Sequence, residues 1–321
     1  MPDSLSVVDA AGERPSAGRV AILLSTYNGA QYLKAQLESL IEQVYQNWEI
    51  HASDDGSSDG TLEILECYRQ RLGGRLRIYR GPGEGFAANF LSLIRRKEIQ
   101  ASYFAFCDQD DIWSKDKLSS AVSCLEKSKT GLPALYCSRT RLVDECGVEI
   151  GYSAVFSVRP CFENALVQSI AGGNTMVLNE SARGLIAKTP VASVIISHDW
   201  WAYLLVSGSG GNVHYDPVPQ VDYRQHSNNL MGSNRRLGER LLRLKKMFDG
   251  TFQVWNTANL AALEHFRQDL QTEHLERVDM FQKARRSALL MRLICFKRAG
   301  IFRQSTAENV ILVAAALVNR L

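Results

Sequence analysis

Residues 103–113 read Tyr-Phe-Ala-Phe-Cys-Asp-Gln-Asp-Asp-Ile-Trp, an apolar run that ends in Asp108, Asp110 and Asp111. Such a run is typical of a strand buried on both faces of a parallel sheet. Ligands of open α/β sheets bind beyond the carboxyl ends of these strands, so the aspartates are candidates for a functional site. Clustered carboxylates need a compensating cation, and hard divalent ions bind carboxylates together with substrate phosphates. The alternative is that the aspartates only cap the following helix.

Apolar runs on both sides of this stretch alternate with segments of helical periodicity. The predicted strands are Val20–Leu24, Trp48–Ala52, Leu76–Tyr79, Tyr103–Cys107 and Ala134–Cys137, and the intervening helices include Phe86–Ile94 and Ser114–Glu126. Five strands with helical connections indicate a doubly wound α/β sheet. The alternation weakens after Asp144. The later predicted strands are Thr175–Leu178 and Val221–Arg224, and the later helices are Ser181–Ala187 and Asp199–Val206.

The composition is that of an ordinary globular protein, with 321 residues, 45% hydrophobic and 22% charged, and it excludes a disordered or collagenous chain. A net charge of +3 and the absence of a recognition motif argue against nucleic-acid binding. From Asn234 onward, however, 16 basic residues face 8 acidic ones. Arg235–Phe248 combines a leucine stripe with five or more cations, which suits either an anionic membrane surface or docking on the preceding domain.

Three regions are expected from these patterns: a disordered leader at residues 1–18, a folded domain at 19–231 and a basic amphipathic helical region at 232–321. The leader has no apolar core of a signal peptide. The longest apolar run, Val310–Val318, is far below the roughly 20 residues that span a bilayer. The seven cysteines contain no C-x-x-C pair, which favours reduced thiols in a cytoplasmic protein.

Polar loops also follow the first two predicted strands. Ser25-Thr26-Tyr27-Asn28 follows the first strand, and Asp54-Asp55-Gly56 follows the second. Because the carboxyl ends of parallel strands share one edge of a sheet, these loops and the aspartates after residue 107 are expected to form one constellation. The sequence leaves open whether Asp54 and Asp55 bind a nucleotide or only form a turn. Gly81-x-Gly83-x-Gly85 is better explained as a turn than as a phosphate loop.

Taken together, three motifs resemble glycosyltransferase family 2: Thr26-Tyr27-Asn28, Asp54-Asp55-Gly56-Ser57-x-Asp59-x-Thr61 and Asp108-x-Asp110. The resemblance covers about residues 19–231. It implies the GT-A fold, an α/β architecture with a doubly wound, mixed and mostly parallel sheet, a Rossmann-like nucleotide half, an acceptor half and a helical C-terminal extension. It also implies inverting transfer from a nucleotide sugar with Mg²⁺ or Mn²⁺.

Within the family, residues 107–113 and 223–229 resemble bacterial rhamnosyltransferases of lipopolysaccharide and surface polysaccharide assembly. This resemblance implies dTDP-L-rhamnose as donor, a saccharide or lipid-linked saccharide as acceptor, and a site in the cytoplasm, with peripheral attachment to the inner membrane as a further hypothesis. A UDP-hexose or UDP-N-acetylhexosamine donor is the alternative. A third hypothesis is a non-catalytic protein that binds a nucleotide sugar. The presence of all four aspartates argues against it (55, 108, 110 and 199).

The resemblance also implies individual roles. Donor-nucleotide contacts are expected from Ser25, Thr26, Tyr27, Asn28, Asp54, Asp55, Gly85, Asn89, Asp108 and Gln109. Metal contacts are expected from Asp110, Asp108 and His226, with Asp110 as the main ligand, and acceptor contacts from Gly173, Asn174, His198 and Trp200. Asp199 is the expected catalytic base, with His198 standing where the family more usually has an acidic residue. The alternatives are a helix cap for Asp199, ordinary burial for Asn89 and simple packing for His226.

Overall fold

The computed structural model describes residues 18–226 and 249–321. The strands are β1 Val20–Thr26, β2 Trp48–Asp54, β3 Leu76–Arg80, β4 Tyr103–Cys107, β5 Ile112–Trp113, β6 Ala134–Val143, β7 Glu149–Tyr152, β8 Val177–Asn179 and β9 Asn212–Arg224. The helices are α1 Leu33–Ile41, α2 Thr61–Leu72, α3 Phe86–Arg95, α4 Lys117–Leu125, α5 Phe162–Ala165, α6 Glu180–Ala187, α7 His198–Gly208, α8 Thr251–Leu263, α9 Thr272–Arg286, α10 Leu289–Ala299 and α11 Thr306–Leu317. The predicted leader, apart from residue 18, and the Arg235–Phe248 helix lie outside the described residues.

One mixed sheet forms the centre of the fold, in the order β3-β2-β1-β4-β8-β6-β9-β5, with β7 paired to β6. β1 to β4 are mutually parallel, so their carboxyl ends lie on one edge. β8 runs antiparallel to both β4 and β6, while β6 and β9 are parallel. The doubly wound, mostly parallel sheet predicted from the sequence is confirmed.

Helices cover both faces of the sheet because its central strands are apolar on both sides. Alternate residues of β1 enter two different hydrophobic clusters: Ile22 packs with α1, α2 and α4, and Leu23 packs with α3, α6 and α7. Both side chains are completely buried. The polar residues of β1 and β4 are accordingly found at their carboxyl ends and in the loops that follow.

The helices of the C-terminal region share the second of these clusters. Phe252, Phe266 and Phe281 are buried in the same core as Trp201 of α7, and the ring of Phe266 stands edge-on to the Trp201 ring at 5.6 Å. Among the residues that the structure describes, no helix is long and apolar enough to cross a bilayer. All seven cysteines are free thiols, in agreement with the sequence analysis.

Several elements differ from their predicted bounds. β6 has ten residues rather than the four predicted, and the strand predicted from Thr175 begins at Val177 because Gly173–Thr175 forms a 3₁₀ helix. β9 has 13 residues rather than the four predicted, because its two prolines, Pro217 and Pro219, lie where the pairing with β6 shifts register, between Ser138 and Thr140. Proline has no N–H to donate to a regular ladder, but at such an irregularity no ladder bond is needed, so proline is tolerated there. The helix predicted from Ser114 begins only at Lys117, because the Ser114 amide instead bonds Gln220 O beside β5.

Candidate active site

The turn after β2 is organised by a buried carboxylate. Asp54 accepts hydrogen bonds from the backbone N–H groups of Gly56 and Ser57 and from the Ser57 hydroxyl. It also accepts a 2.8 Å bond from the hydroxyl of Thr26 at the end of β1. Asp54 therefore fixes the shape of the turn in which Asp55 lies.

Asp55 holds the glycine loop that follows β3. Its carboxylate accepts hydrogen bonds from the amides of Gly83 and Gly85, at 2.7 and 2.8 Å. Gly85 has a φ of +89°, a conformation that side chains with a Cβ rarely adopt. The half-buried Asp55 thus fixes the glycine loop to the end of β2.

Asn89 joins the same edge from inside α3. Its amide nitrogen donates to the Ser25 hydroxyl and to Ser53 O, both at 2.8 Å, while its amide oxygen is buried without a hydrogen-bond partner. Asn89 thereby ties α3 to the ends of β1 and β2. These contacts match ordinary burial, the alternative to a donor-nucleotide contact that the sequence left open for Asn89.

Gln109 fixes the loop after β1. Its amide oxygen accepts from the Tyr27 N–H at 2.8 Å and its amide nitrogen donates to Tyr27 O at 2.9 Å. Asn28 follows with a φ of +47°, and its side-chain oxygen accepts from the Ser58 amide. A non-glycine residue in this region is a strained position that surrounding bonds must hold. The exposed side chain of Tyr27 is consequently displayed at the edge.

Asp108 and Asp111 carry strongly perturbed carboxyl groups. Burial, together with the neighbouring charges of Asp110 and Asp199, raises the pKa of Asp108 to about 7. Burial, together with the charges of Asp110 and Asp108, raises the pKa of Asp111 well above its ordinary value. The side chain of Asp111 accepts from the Asn174 amide and, at 3.3 Å, from the Arg224 N–H. Perturbed carboxyls of this kind are typical of functional sites.

Asp110 meets the end of β9. Its Oδ2 lies 2.8 Å from His226 Nε2, and the His226 ring stacks on the Tyr32 ring at a centroid distance of 5.0 Å. The Arg224 guanidinium donates to Asp110 O at 3.1 Å and lies over the same Tyr32 ring. Residues far apart in the chain are thus brought together here.

The chemistry of Asp110 and His226 fits a divalent ion. Among residues 18–226 and 249–321, no three His, Cys, Asp or Glu side chains are arranged as a complete metal site. A carboxylate and an imidazole in contact, with Asp108 in the same loop, nevertheless match the incomplete protein ligand set of ions that also bind substrate phosphates. The predicted ligands are therefore compatible with Mg²⁺ or Mn²⁺ when the substrate supplies the remaining oxygens.

Asp199 lies at the second position of α7, after the cap residue Ser197. Its side chain accepts from the Trp200 amide at 2.7 Å, and its charge acts on the Asp108 carboxyl. Asp199 is thus near the donor-side aspartates although it belongs to α7, far from them in the chain. The N-cap residue Ser197 makes no side-chain cap hydrogen bond, and Asp199 satisfies a first-turn amide instead, so the helix-cap alternative stands beside that of a catalytic base.

His198 and Trp200, two of the predicted acceptor contacts, lie in the core. The His198 ring stacks on Phe90 at 3.9 Å and stands edge-on to Phe106. The Trp200 indole N–H donates to Ala165 O at 2.7 Å. The exposed fractions are 4% for His198 and 6% for Trp200. Neither side chain is open to a sugar in this arrangement, and direct contact with the acceptor is not supported for these two residues.

Comparison with known proteins agrees with this geometry. The family model "Glycosyl transferase family 2" matches residues 21–139. The chain is 31% identical over 225 residues to a dTDP-rhamnosyl transferase, RfbG of Shigella flexneri, covering 66% of this chain and 74% of that protein. The chain belongs to glycosyltransferase family 2.

Further proteins are similar to this glycosyltransferase in sequence or in fold. A putative teichuronic acid biosynthesis glycosyltransferase, TuaG of Bacillus subtilis, is 26% identical over 52% of this chain and 64% of that protein. Among solved structures, S. aureus TarS in complex with UDP has a TM-score of 0.56 at 15% identity, over 94% of this chain and 89% of that chain. The mannosyltransferase PcManGT of Pyrobaculum calidifontis, solved with GDP-Man and Mn²⁺, has a TM-score of 0.51 at 16% identity, over 97% and 89%. These structures share the GT-A fold.

Two cations of the transferase site were not singled out from its sequence. Lys117 is completely buried, and Arg224 is 5% exposed. Arg224 belongs to the motif of residues 223–229, so the sequence could have indicated its place in the site. Lys117 had none, because a lysine at the start of a helix is ordinarily solvated.

Proposed function

We propose that this glycosyltransferase moves L-rhamnose from dTDP-L-rhamnose to a saccharide or lipid-linked saccharide acceptor, with inversion and with a divalent metal ion, in polysaccharide assembly. The observation that carries the proposal is the meeting of three groups at one sheet edge: Asp55 with its glycine loop, the Asp110–His226 pair, and Asp199 beside Asp108. The donor sugar rests on the similarity to the Shigella flexneri enzyme.

The donor occupies the edge formed by β1, β2 and β4 in this proposal. Ser25, Thr26, Tyr27 and Asn28 line the nucleoside side, and Asp55 accepts hydrogen bonds from the base. Asp54, Asn89 and Gln109 hold these groups in place through the bonds described above. Asp110 and His226 would hold a divalent ion at this edge, where it would supply positive charge beside the departing nucleoside diphosphate.

Asp199 acts on the acceptor side as the general base. As the acceptor oxygen attacks the anomeric carbon, its proton passes to the Asp199 carboxylate and the bond from that carbon to the diphosphate oxygen breaks. The electron pair of the broken bond leaves with the nucleoside diphosphate. Attack from the opposite face inverts the anomeric centre.

A donor panel tests the proposal. We expect dTDP-L-rhamnose to raise the melting temperature and to be turned over faster than UDP-glucose or UDP-N-acetylglucosamine, with Mn²⁺ or Mg²⁺ present. Faster turnover of either UDP sugar would replace the proposed donor by the alternative. Donor binding without turnover of any donor, across a panel of saccharide acceptors, would favour the non-catalytic reading.

Peripheral attachment to the cytoplasmic face of a membrane is part of the same proposal. The described part of the C-terminal region supports it with exposed apolar side chains, among them Leu290 of α10 and Val310 of α11, in a region rich in cations. Co-sedimentation of the intact chain with anionic vesicles, and none with neutral vesicles, is the expected result.

A further inference from the structure

Lys117 is a buried cation next to the acidic loop. Its Nζ donates to the backbone oxygen of Asn174 at 2.6 Å and lies 3.1 Å from the centroid of the Trp113 ring. The carboxylates of Asp108 and Asp111 act on it electrostatically, although burial outweighs them and lowers the pKa of Lys117 to about 7. The ammonium therefore has one direct hydrogen-bond acceptor among the described residues, on the acceptor half of the molecule.

Packing alone does not account for a lysine at this position. An apolar side chain of similar length would fill the space beside Trp113 without the desolvation cost of an ammonium group. The hydrogen bond to Asn174 O and the nearby carboxylates are what distinguish lysine from such a residue. The chemistry of the head group, and not the volume of the side chain, is thus what the surroundings use.

The contacts of Asn174 show what Lys117 joins. The Asn174 side-chain amide donates to Asp111, and its backbone oxygen accepts from Lys117 at the start of α4. The short 3₁₀ helix Gly173–Thr175 is therefore attached at two points to the segment that follows β4. On its other side, Gly173 lies directly against the His198 ring, so close that a Cβ would be 2.2 Å from Nε2. The segment therefore lies between the acidic loop and the start of α7, which carries Asp199.

We infer that Lys117 is a positioning residue that holds Gly173–Thr175 at the distance from Asp108 and Asp110 at which an acceptor reaches the donor sugar. This inference rests on the proposed function. Lys117 acts through Asn174 and does not touch the reactants. Its loss should impair the use of acceptor while leaving donor binding intact.

The test compares Lys117→Met with Lys115→Met. Lys115 is two residues away and exposed, and it pairs with Glu42 at 3.3 Å. For Lys117→Met we expect the acceptor kcat/KM to fall about 10²-fold, the scale of a misplacement of about 1 Å, with an unchanged donor dissociation constant. Lys115→Met should match the parent enzyme in both. Lys117→Arg should recover part of the loss because it keeps a buried cationic donor.

Wild-type acceptor kcat/KM in Lys117→Met, or an equal loss of donor binding, would overturn the inference. If Lys117→Met does not fold, Lys117→Gln makes the same comparison. A readout independent of turnover separates this inference from the proposed function. Hydrogen exchange at the amides of Thr175 and Met176, which bond within the loop, should be faster in the variant than in the parent. Unchanged exchange there would refute the inference even if no sugar transfer is found with any donor.

Discussion

At the scale of the residue, Asp199 is the side chain on which turnover depends most directly. It accepts the Trp200 N–H in the first turn of α7, and the amide oxygen of asparagine can accept the same bond, so Asp199→Asn should leave the helix intact. We expect this variant to fold and bind donor as the parent does, and to lose at least about 10²-fold in turnover, because an amide cannot take the acceptor proton.

Glu180→Gln provides the matched control for Asp199→Asn. Glu180 is an acidic residue in the first turn of another helix, α6, and its replacement should leave turnover unchanged. If Asp199→Asn and Glu180→Gln show the same near-normal turnover, Asp199 is not the base.

The buried imidazole of His198 predicts a stability that depends on pH. Burial lowers its pKa from 6.5 to about 4, so the unfolded chain binds a proton that the folded chain does not as the pH falls from 6.5 towards 4. The contribution of His198 to the free energy of unfolding is therefore fully present above pH 6.5. It is lost on acidification and has fallen by about 2 kcal/mol at pH 5.

His198→Met isolates this contribution. Methionine fills a site between aromatic rings well, and neither ring nitrogen of His198 has a hydrogen-bond partner that would be lost. Urea unfolding at pH 7 and pH 5 should show a smaller loss of stability on acidification in the variant, by about 2 kcal/mol. Identical losses in the two proteins would show that His198 takes up its proton in the folded state as easily as in the unfolded one.

At the scale of the element, the loops after β4 and β9 meet through Asp110 and His226. Asp110→Ala should abolish turnover supported by Mn²⁺ or Mg²⁺, and Mn²⁺ with a nucleoside diphosphate should raise the melting temperature of the parent but not of the variant. Asp116→Ala, at an exposed residue before α4, is the control and should behave as the parent. Full activity of Asp110→Ala in chelator would contradict the metal proposal.

β1 and β4 could be predicted because burial on both faces makes each of them a continuous apolar run, whereas β2 and β3 interleave apolar and charged residues. β1 and β4 show this directly, with Ile22 and Leu23 facing different clusters. The position of the polar loops could also be predicted, because parallel strands bring carboxylates that are distant in the chain to one edge of the sheet. This part of the site, including Asp55 and Asp110, was accessible from the sequence.

The acceptor half was less predictable, because its elements depend on partners distant in the chain. β9 contains two prolines that a local pattern treats as breaks, and only its pairing with β6 shows that the strand continues past them. Trp200 is predicted to contact the acceptor, yet its indole N–H donates to Ala165 O in the core. Burial of a side chain in the core, as for Trp200 and Lys117, is a tertiary fact that spacing does not encode.

At the scale of the whole molecule, one hydrophobic core connects the catalytic sheet with the C-terminal helices. Leu23 of β1, Trp201 of α7 and Phe266 after α8 belong to the same cluster. Polar contacts reinforce it: Arg303, which precedes α11, donates to Val167 O at 2.8 Å. α7, which carries Asp199 in its first turn, therefore packs against the C-terminal region.

This shared core predicts that the described parts of the chain unfold as one cooperative unit. Phe266 is 1% exposed, and Phe266→Ala should cost about 3–5 kcal/mol, as large-to-small changes in a core do. Leu290→Ala, at a side chain that is 75% exposed, should cost under about 0.5 kcal/mol. Far-UV circular dichroism and loss of nucleotide binding, followed on the same thermal ramp, should coincide in both variants. An independently folded C-terminal region would instead give a separate early transition in Phe266→Ala, with nucleotide binding lost only at the parent temperature.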